Sequence, residues 1–361
     1  MTSSATQTDD VITSQAMQNG SKETWPEGDM FTWHGTELIL IPTFVVSGVL
    51  GNTLVLYVYT FRIRTSTVTL IKRMLAGLDL ASLLLAQPMM LYTVLLPDSK
   101  FFQQTCIASW YLNFSTGMSS NCVLVMIAVD RFMRLCLLST QGIGGKPATR
   151  VFVCSLIFCA VANIPSVWIA GKESRYYSLY QVRVTHCSLT REAAETMLFL
   201  VYCASQVLLL LLSLVAILFL YTKIIKSVRH HDRVRKQLAE SCAGGMVLSR
   251  DKSSTKMGKQ VMQTSINVFI AITVLYFVSN LLYILVLVFL LHEQIDDYTT
   301  PYLQAALDVA NYSPMISSAV DPFIYSCTST AFRQEVYRIL TRKPDPKKLS
   351  TPAVVFSGTP T

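Results

Sequence analysis

Seven apolar segments follow one another along this chain, at about 38–61, 69–96, 106–137, 151–170, 196–222, 261–291 and 302–326. Each is near the ~20 residues that a helix needs to cross a hydrocarbon core about 30 Å thick. Helices are the natural form for spans of this length, because lipid offers no partner to an unpaired backbone N–H or C=O. The seventh segment is the least apolar, and its assignment leans on position. The chain is 52% hydrophobic and only 14% charged, which excludes an ordinary soluble protein. The expected fold is an all-α membrane protein, a seven-transmembrane helix bundle.

Charge sets its orientation. Of 30 Lys and Arg residues, only Lys22, Lys100, Lys172, Arg175, Arg183 and Arg191 fall in the N-terminal tail and the linkers after segments two, four and six. By the positive-inside rule the other linkers are cytoplasmic and the N-terminus is extracellular, as expected at the plasma membrane. The net charge of +8 is therefore a topology signal, and no nucleic-acid partner is expected. The outer side instead gathers acids: Glu173, Glu192, Glu195, Glu293, Asp296, Asp297 and Asp308.

Residues 1–37 read as a disordered extracellular tail without a cleaved signal peptide, in which Asn19-Gly20-Ser21 is a glycosylation acceptor. The cytoplasmic linker at 223–260 begins as a basic helix extension and becomes Gly/Ser-rich. Phe332, Val336, Ile339 and Leu340 alternate with Arg333, Gln334, Glu335 and Arg338, predicting a short amphipathic helix over about 329–340 on the membrane surface. Residues 341–361 read as a disordered cytoplasmic tail. Its Ser350, Thr351, Ser357 and Thr359 are candidate sites for kinases and, after them, arrestin.

The third segment carries a polar stripe. Asn113, Gly117, Ser120, Leu124, Ile127 and Arg131 recur at alternating spacings of four and three, on one helix face. At about 1.5 Å per residue, Cys106 to Arg131 covers roughly 37 Å, one membrane surface to the other. Asp130 beside Arg131 can neutralise the guanidinium at that edge. The nine cysteines form no metal-type spacing. Most lie in apolar runs, whereas Cys106 and Cys187 fall at helix ends on the outer side, where an oxidising exterior permits pairing. The five histidines, His34, His186, His230, His231 and His292, fall in tails or loops and read as solvated. With no nucleophile–base pair, metal cluster or phosphate loop, the chain does not read as an enzyme.

The seven spans carry Gly51-Asn52 in segment one and Leu75-Ala76-x-x-Asp79 in segment two. Cys106 and Asp130-Arg131-Phe132 bound segment three, Cys187 lies in the second outer loop, and Tyr221 comes late in segment five. Segment seven has Asp321-Pro322-x-x-Tyr325, followed by Phe332-Arg333. In this order and spacing, residues 38–340 resemble the rhodopsin-like G-protein-coupled receptors. The resemblance implies a Cys106–Cys187 disulfide, an extracellular ligand and a heterotrimeric G protein. It places Asp79 near Asn52, Ser120, Ser317, Ser318 and Asp321, an oxygen-rich site for an allosteric Na⁺ held by Asp79 and Asp321; no other cofactor is implied. It also implies that Arg131 pairs with Asp130 at rest and meets the G protein beside Tyr221 and Tyr325 when the sixth helix swings out. The pattern departs in several places. Phe132 replaces Tyr, Ser213 replaces Pro, and the Trp usual near Ser155 is absent. Thr273 and Leu275 stand where the family has Trp and Pro, leaving Phe269 and Tyr276 to carry more of the activation trigger. Thr255 stands where many relatives place an acid to hold the arginine.

Asn113 occupies the position of the amine receptors' Asp, which disfavours an amine ligand, and Met315 lies near the opsin lysine position, which excludes retinal. Gln87, Asn113, Gln206, Tyr276, Asn280, Tyr283, Asp308 and Asn311, with Tyr312, suit peptide amides and basic side chains under an acidic outer surface. The expected ligand is a neuropeptide. The alternatives are a receptor-like protein for a lipid or other ligand with little G-protein signalling, and an ion-coupled transporter using Asp79 and Asp321, for which internal repeats are missing.

Overall fold

The computed structural model describes residues 29–140, 142–177, 182–241, 269–286 and 300–341. Asn19, Thr255, His292 and the serines and threonines of the C-terminal tail lie outside the described residues. The elements are α1 (Asp29–Tyr57), α2 (Thr67–Ala81 and Gln87–Leu95), α3 (Phe102–Leu135), α4 (Gly145–Ala162), β1 (Ala170–Tyr177), β2 (Val182–Leu189), α5 (Met197–Ser241), α6 (Phe269–Val286), α7 (Pro301–Asn311 and Ser313–Thr328) and α8 (Thr330–Leu340). Six of these helices are long and apolar enough to cross a membrane, and α7 completes a seven-helix bundle.

The apolar pattern is sorted as lipid requires. On α5, Leu208, Leu211, Leu212, Val215, Leu218 and Phe219 are exposed at three- and four-residue spacings, while Ile217, Tyr221 and Ile224 are buried on another face. Polar residues face inward: Asn52, Asp79, Asp130 and Asp321 are all buried. Helix α3 is the hub, packing against α2, α4, α5 and the outer hairpin, and Ser120, Leu124 and Ile127 of its polar stripe are buried.

Three local devices shape the bundle. In α2 a π turn at Ser82–Ala86 comes just ahead of Pro88, whose missing N–H breaks the regular ladder. In α7 the helix is interrupted at Tyr312, two residues before Pro314. Gly51 lets α1 lie against α7, for a Cβ there would sit 2.7 Å from the ring of Pro322. The surface helix α8 is capped by Ser329, whose side chain accepts from the Phe332 N–H, and buries Phe332. Arg62, at the end of the π turn Val58–Arg62 that continues α1, donates to Glu335 at 3.1 Å and fastens α8 to the bundle.

Cys106 at the start of α3 is bonded to Cys187 on β2, so the implied disulfide is present. It pins an antiparallel hairpin, with Lys172 opposite Cys187, that the all-α reading did not contain. The Lys172 N–H also donates to Gln103 Oε1 of α3 at 2.9 Å. Two further expectations need correction. Helix α1 begins at Asp29, so residues 29–37 are not part of a disordered tail. Nor is His34 solvated: it is 7% exposed and packed on α1 against Glu37. Hydropathy missed this turn because its polar groups satisfy one another rather than water.

Candidate functional site

A cavity of about 230 Å³ opens among α2, α3, α5, α6 and α7. Gln87, Asn113, Gln206, Tyr276, Asn280, Tyr283 and Asn311 line it, as the resemblance grouped them. Asp308 does not; it borders a smaller outer cavity of about 50 Å³, which Asn311 also touches. The π turn of α2 aims two donors at one acceptor, Gln87 Nε2 at 2.8 Å and Ser82 Oγ at 3.3 Å from Asn113 Oδ1. Across the cavity, Gln206 Nε2 and the Tyr202 hydroxyl converge on Asn163 Oδ1 at 3.1 and 2.8 Å. The buried Gln87 Oε1 accepts no hydrogen bond among the described residues. Phe114 forms edge contacts with Tyr202 and Tyr283, at centroid distances of 6.0 and 6.3 Å, and Trp110 packs on its other side at 5.4 Å.

Asn163, Tyr202 and Trp110 were not among the candidates. Trp110 lies three residues before Asn113, so its helix face was legible. Asn163 and Tyr202 belong to elements brought together only by packing.

The floor of the same cavity is formed by Asp79, Ser120, Ser317, Ser318 and Asp321. Asn52 stands beside it, donating from Nδ2 to the carbonyls of Gly48 at 3.0 Å and Ser318 at 2.8 Å. Asp79 Oδ2, Asp321 Oδ1 and Asn52 Oδ1 are buried acceptors with no donor among the described residues. Three orphaned oxygens beside three serines are the donor set a small hard cation takes, so these residues fit a Na⁺ ion. Asn121 Oδ1, likewise without a donor, was missed although it follows Ser120 directly.

At the end of α3 opposite the Cys106–Cys187 disulfide the expected pairing is different. The Asp130 carboxylate accepts from Arg134 Nε at 3.0 Å and from the Ile143 backbone N–H at 3.2 Å. Residues four apart share a helix face, whereas neighbours point about 100° apart, so Arg134 rather than Arg131 takes the acid. The Arg131 guanidinium lies over the ring of Phe269, 4.7 Å from its centroid. Tyr221 is buried within electrostatic reach of it.

Lys72, in the second turn of α2, is 9% exposed. Its ammonium donates to the Tyr59 hydroxyl at 3.0 Å and lies 4.7, 4.8 and 5.6 Å from the ring centroids of Tyr59, Tyr325 and Phe269. Phe269 of α6 is thus clasped between a lysine of α2 and an arginine of α3. Farther up α6, Thr273 donates to its own helix at Phe269 O, 2.7 Å away, and the Tyr276 hydroxyl donates across to Gly117 O of α3 at 2.8 Å.

The sequence family described as 7 transmembrane receptor (rhodopsin family) matches residues 51–325. The fold is similar to the crystal structure of squid rhodopsin, with a TM-score of 0.71 over 94% of each chain at 17% identity, a likeness of fold alone. No curated protein sequence matches.

Proposed function

This chain belongs to the rhodopsin family of seven-transmembrane receptors, and from that premise we propose that its upper cavity takes a short extracellular peptide and its cytoplasmic end activates a heterotrimeric G protein. It is a multi-pass membrane receptor and not an enzyme. In this reading it sits in the plasma membrane with its N-terminus outside, where the acids of the outer surface attract a cationic or amidated peptide.

The observation that carries the peptide reading is a cavity lined by amide and aromatic side chains together, among them Gln87, Asn113, Gln206, Phe114 and Tyr283. Those amides suit the backbone groups of a peptide, and the rings of Trp110, Phe114 and Tyr283 suit its apolar or basic side chains. Such a ligand acts by binding the signalling conformation better than the resting one. The resting conformation is held by the Phe269 clasp and the Tyr276–Gly117 hydrogen bond. Outward movement of α6 breaks both and frees Arg131, beside Tyr221 and Tyr325, to meet the G protein. A Na⁺ ion at Asp79 and Asp321 favours the resting state.

A lipid ligand is the second reading, favoured by the many leucines in the cavity wall, among them Leu75, Leu78, Leu83 and Leu124. The test is Ca²⁺ and cAMP output in cells expressing wild type or Arg131→Ala, challenged with amidated peptides, amines and lipids. A peptide response that is lost in a well-expressed Arg131→Ala receptor is the expected result. A response to lipids alone selects the second reading, and silence to every ligand despite surface expression overturns signalling.

A further inference from the structure

We propose that the outer end of the bundle holds a divalent transition-metal site of the Zn²⁺ class, built from His34, Glu37 and His186. One ligand atom from each of the three lies within 4.8 Å of the others. His34 and Glu37 are one turn apart on α1, with Nδ1 and Oε2 separated by 2.6 Å. His186 on β2 faces His34 at a ring-centroid distance of 5.1 Å, and its position is fixed by the neighbouring Cys187 disulfide.

Two imidazoles and a carboxylate form a set that suits Zn²⁺ and disfavours Ca²⁺ or Mg²⁺, which take oxygen ligands. Bonds of about 2.0–2.1 Å in a tetrahedron put ligand atoms about 3.3 Å apart. The His34–Glu37 pair would open slightly and His186 would close in, movements within the reach of side-chain rotation.

Independent features around the cluster support it. The Tyr312 hydroxyl of α7 donates to Glu37 Oε1 at 3.0 Å, which leaves Oε2 turned to the histidines. Such outer partners orient metal ligands. Asp308 borders the same outer cavity as the three ligands, is 4% exposed, and has an Oδ2 with no donor among the described residues. Its other oxygen is held by Gln304 Nε2 at 2.8 Å. With Glu37 it provides a second carboxylate to balance a dication, directly or through a water. The bound metal would fasten α1 and the outer hairpin to α7 beside the mouth of the main cavity.

The test uses the full-length receptor in nanodiscs, with His230→Ala and His231→Ala in the background to remove the vicinal cytoplasmic histidines. ZnCl₂ is titrated against a competing chelator in excess Mg²⁺. One equivalent should bind with X-ray absorption showing two imidazoles, and the receptor's melting temperature should rise. His186→Ala, at a half-buried position, should weaken binding at least about ten-fold and abolish the thermal shift, and Tyr312→Phe should weaken it about ten-fold. Glu37→Gln serves as a second ligand variant should His186→Ala not fold. Absence of binding to the parent overturns the proposal, as does undiminished binding in both His186→Ala and Glu37→Gln.

Discussion

Arg134 donates from Nε to Asp130 Oδ2 at 3.0 Å, one turn along α3, and Arg131 between them turns to the face of Phe269. The two arginines therefore have separable roles. Arg134→Ala leaves a 1%-exposed carboxylate with only the Ile143 N–H among the described residues, and a lost hydrogen bond to a charged group costs roughly 1–3 kcal/mol. Its expected signature is a lower melting temperature with a loosened second cytoplasmic linker. Arg131→Ala gives up the cation–π contact with Phe269 and should lower the melting temperature too, but it alone should abolish G-protein activation. Thermal unfolding and nucleotide exchange on purified receptors separate the two, and equal effects of both variants would contradict the assignment.

The aromatic cage of Lys72 joins α1, α2, α6 and α7 through Tyr59, Phe269 and Tyr325. Desolvated cation–π contacts are worth about 2 kcal/mol, and 1–2 kcal/mol shifts a two-state ratio roughly 5–30-fold. Lys72→Met preserves length and removes the cation. Ligand-free signalling normalised to surface expression should rise several-fold; unchanged output would show that the clasp does not hold α6.

Tyr276 bridges α6 to α3 by a single hydrogen bond to a backbone carbonyl. Tyr276→Phe removes only that hydroxyl. A net worth of about 0.5–1.5 kcal/mol corresponds to roughly a two- to twelve-fold rise in basal output, additive with Lys72→Met if the two contacts act on α6 independently. A fall in basal output would place the hydroxyl on the side of the active state.

Asp79 and Asp321 share the cavity floor, with orphaned oxygens that fit a sodium ion. Replacing Na⁺ by choline at constant ionic strength should raise nucleotide exchange in the wild-type receptor. Asp79→Asn removes a charge from the site, and its exchange rate should no longer respond to the substitution. A sodium response that survives in Asp79→Asn would locate the ion elsewhere.

Much of the bundle was legible because lipid reduces folding to a simple rule: about 20 apolar residues per span, with the basic linkers on one side. The polar stripe of α3 followed from the 3.6-residue repeat, whereas the pocket candidates came with the family resemblance; of those eight, all but Asp308 line one cavity. Asp308, by contrast, faces the outer cavity, and His34 is buried, because where each lies depends on how α1, α7 and the hairpin come together. No local pattern encodes that approach.

The sequence by itself determined the seven spans, the positions of Cys106 and Cys187, and the residue types available on each inward face, since all of these depend on composition and spacing along one helix. Only the tertiary structure decided that Arg131 turns to Phe269, that Lys72 enters an aromatic cage, and that His34, Glu37 and His186 stand together. Those contacts join residues on separate elements, or choose between two partners within reach. The choice is made by the rotation and packing of whole helices, which no single segment specifies.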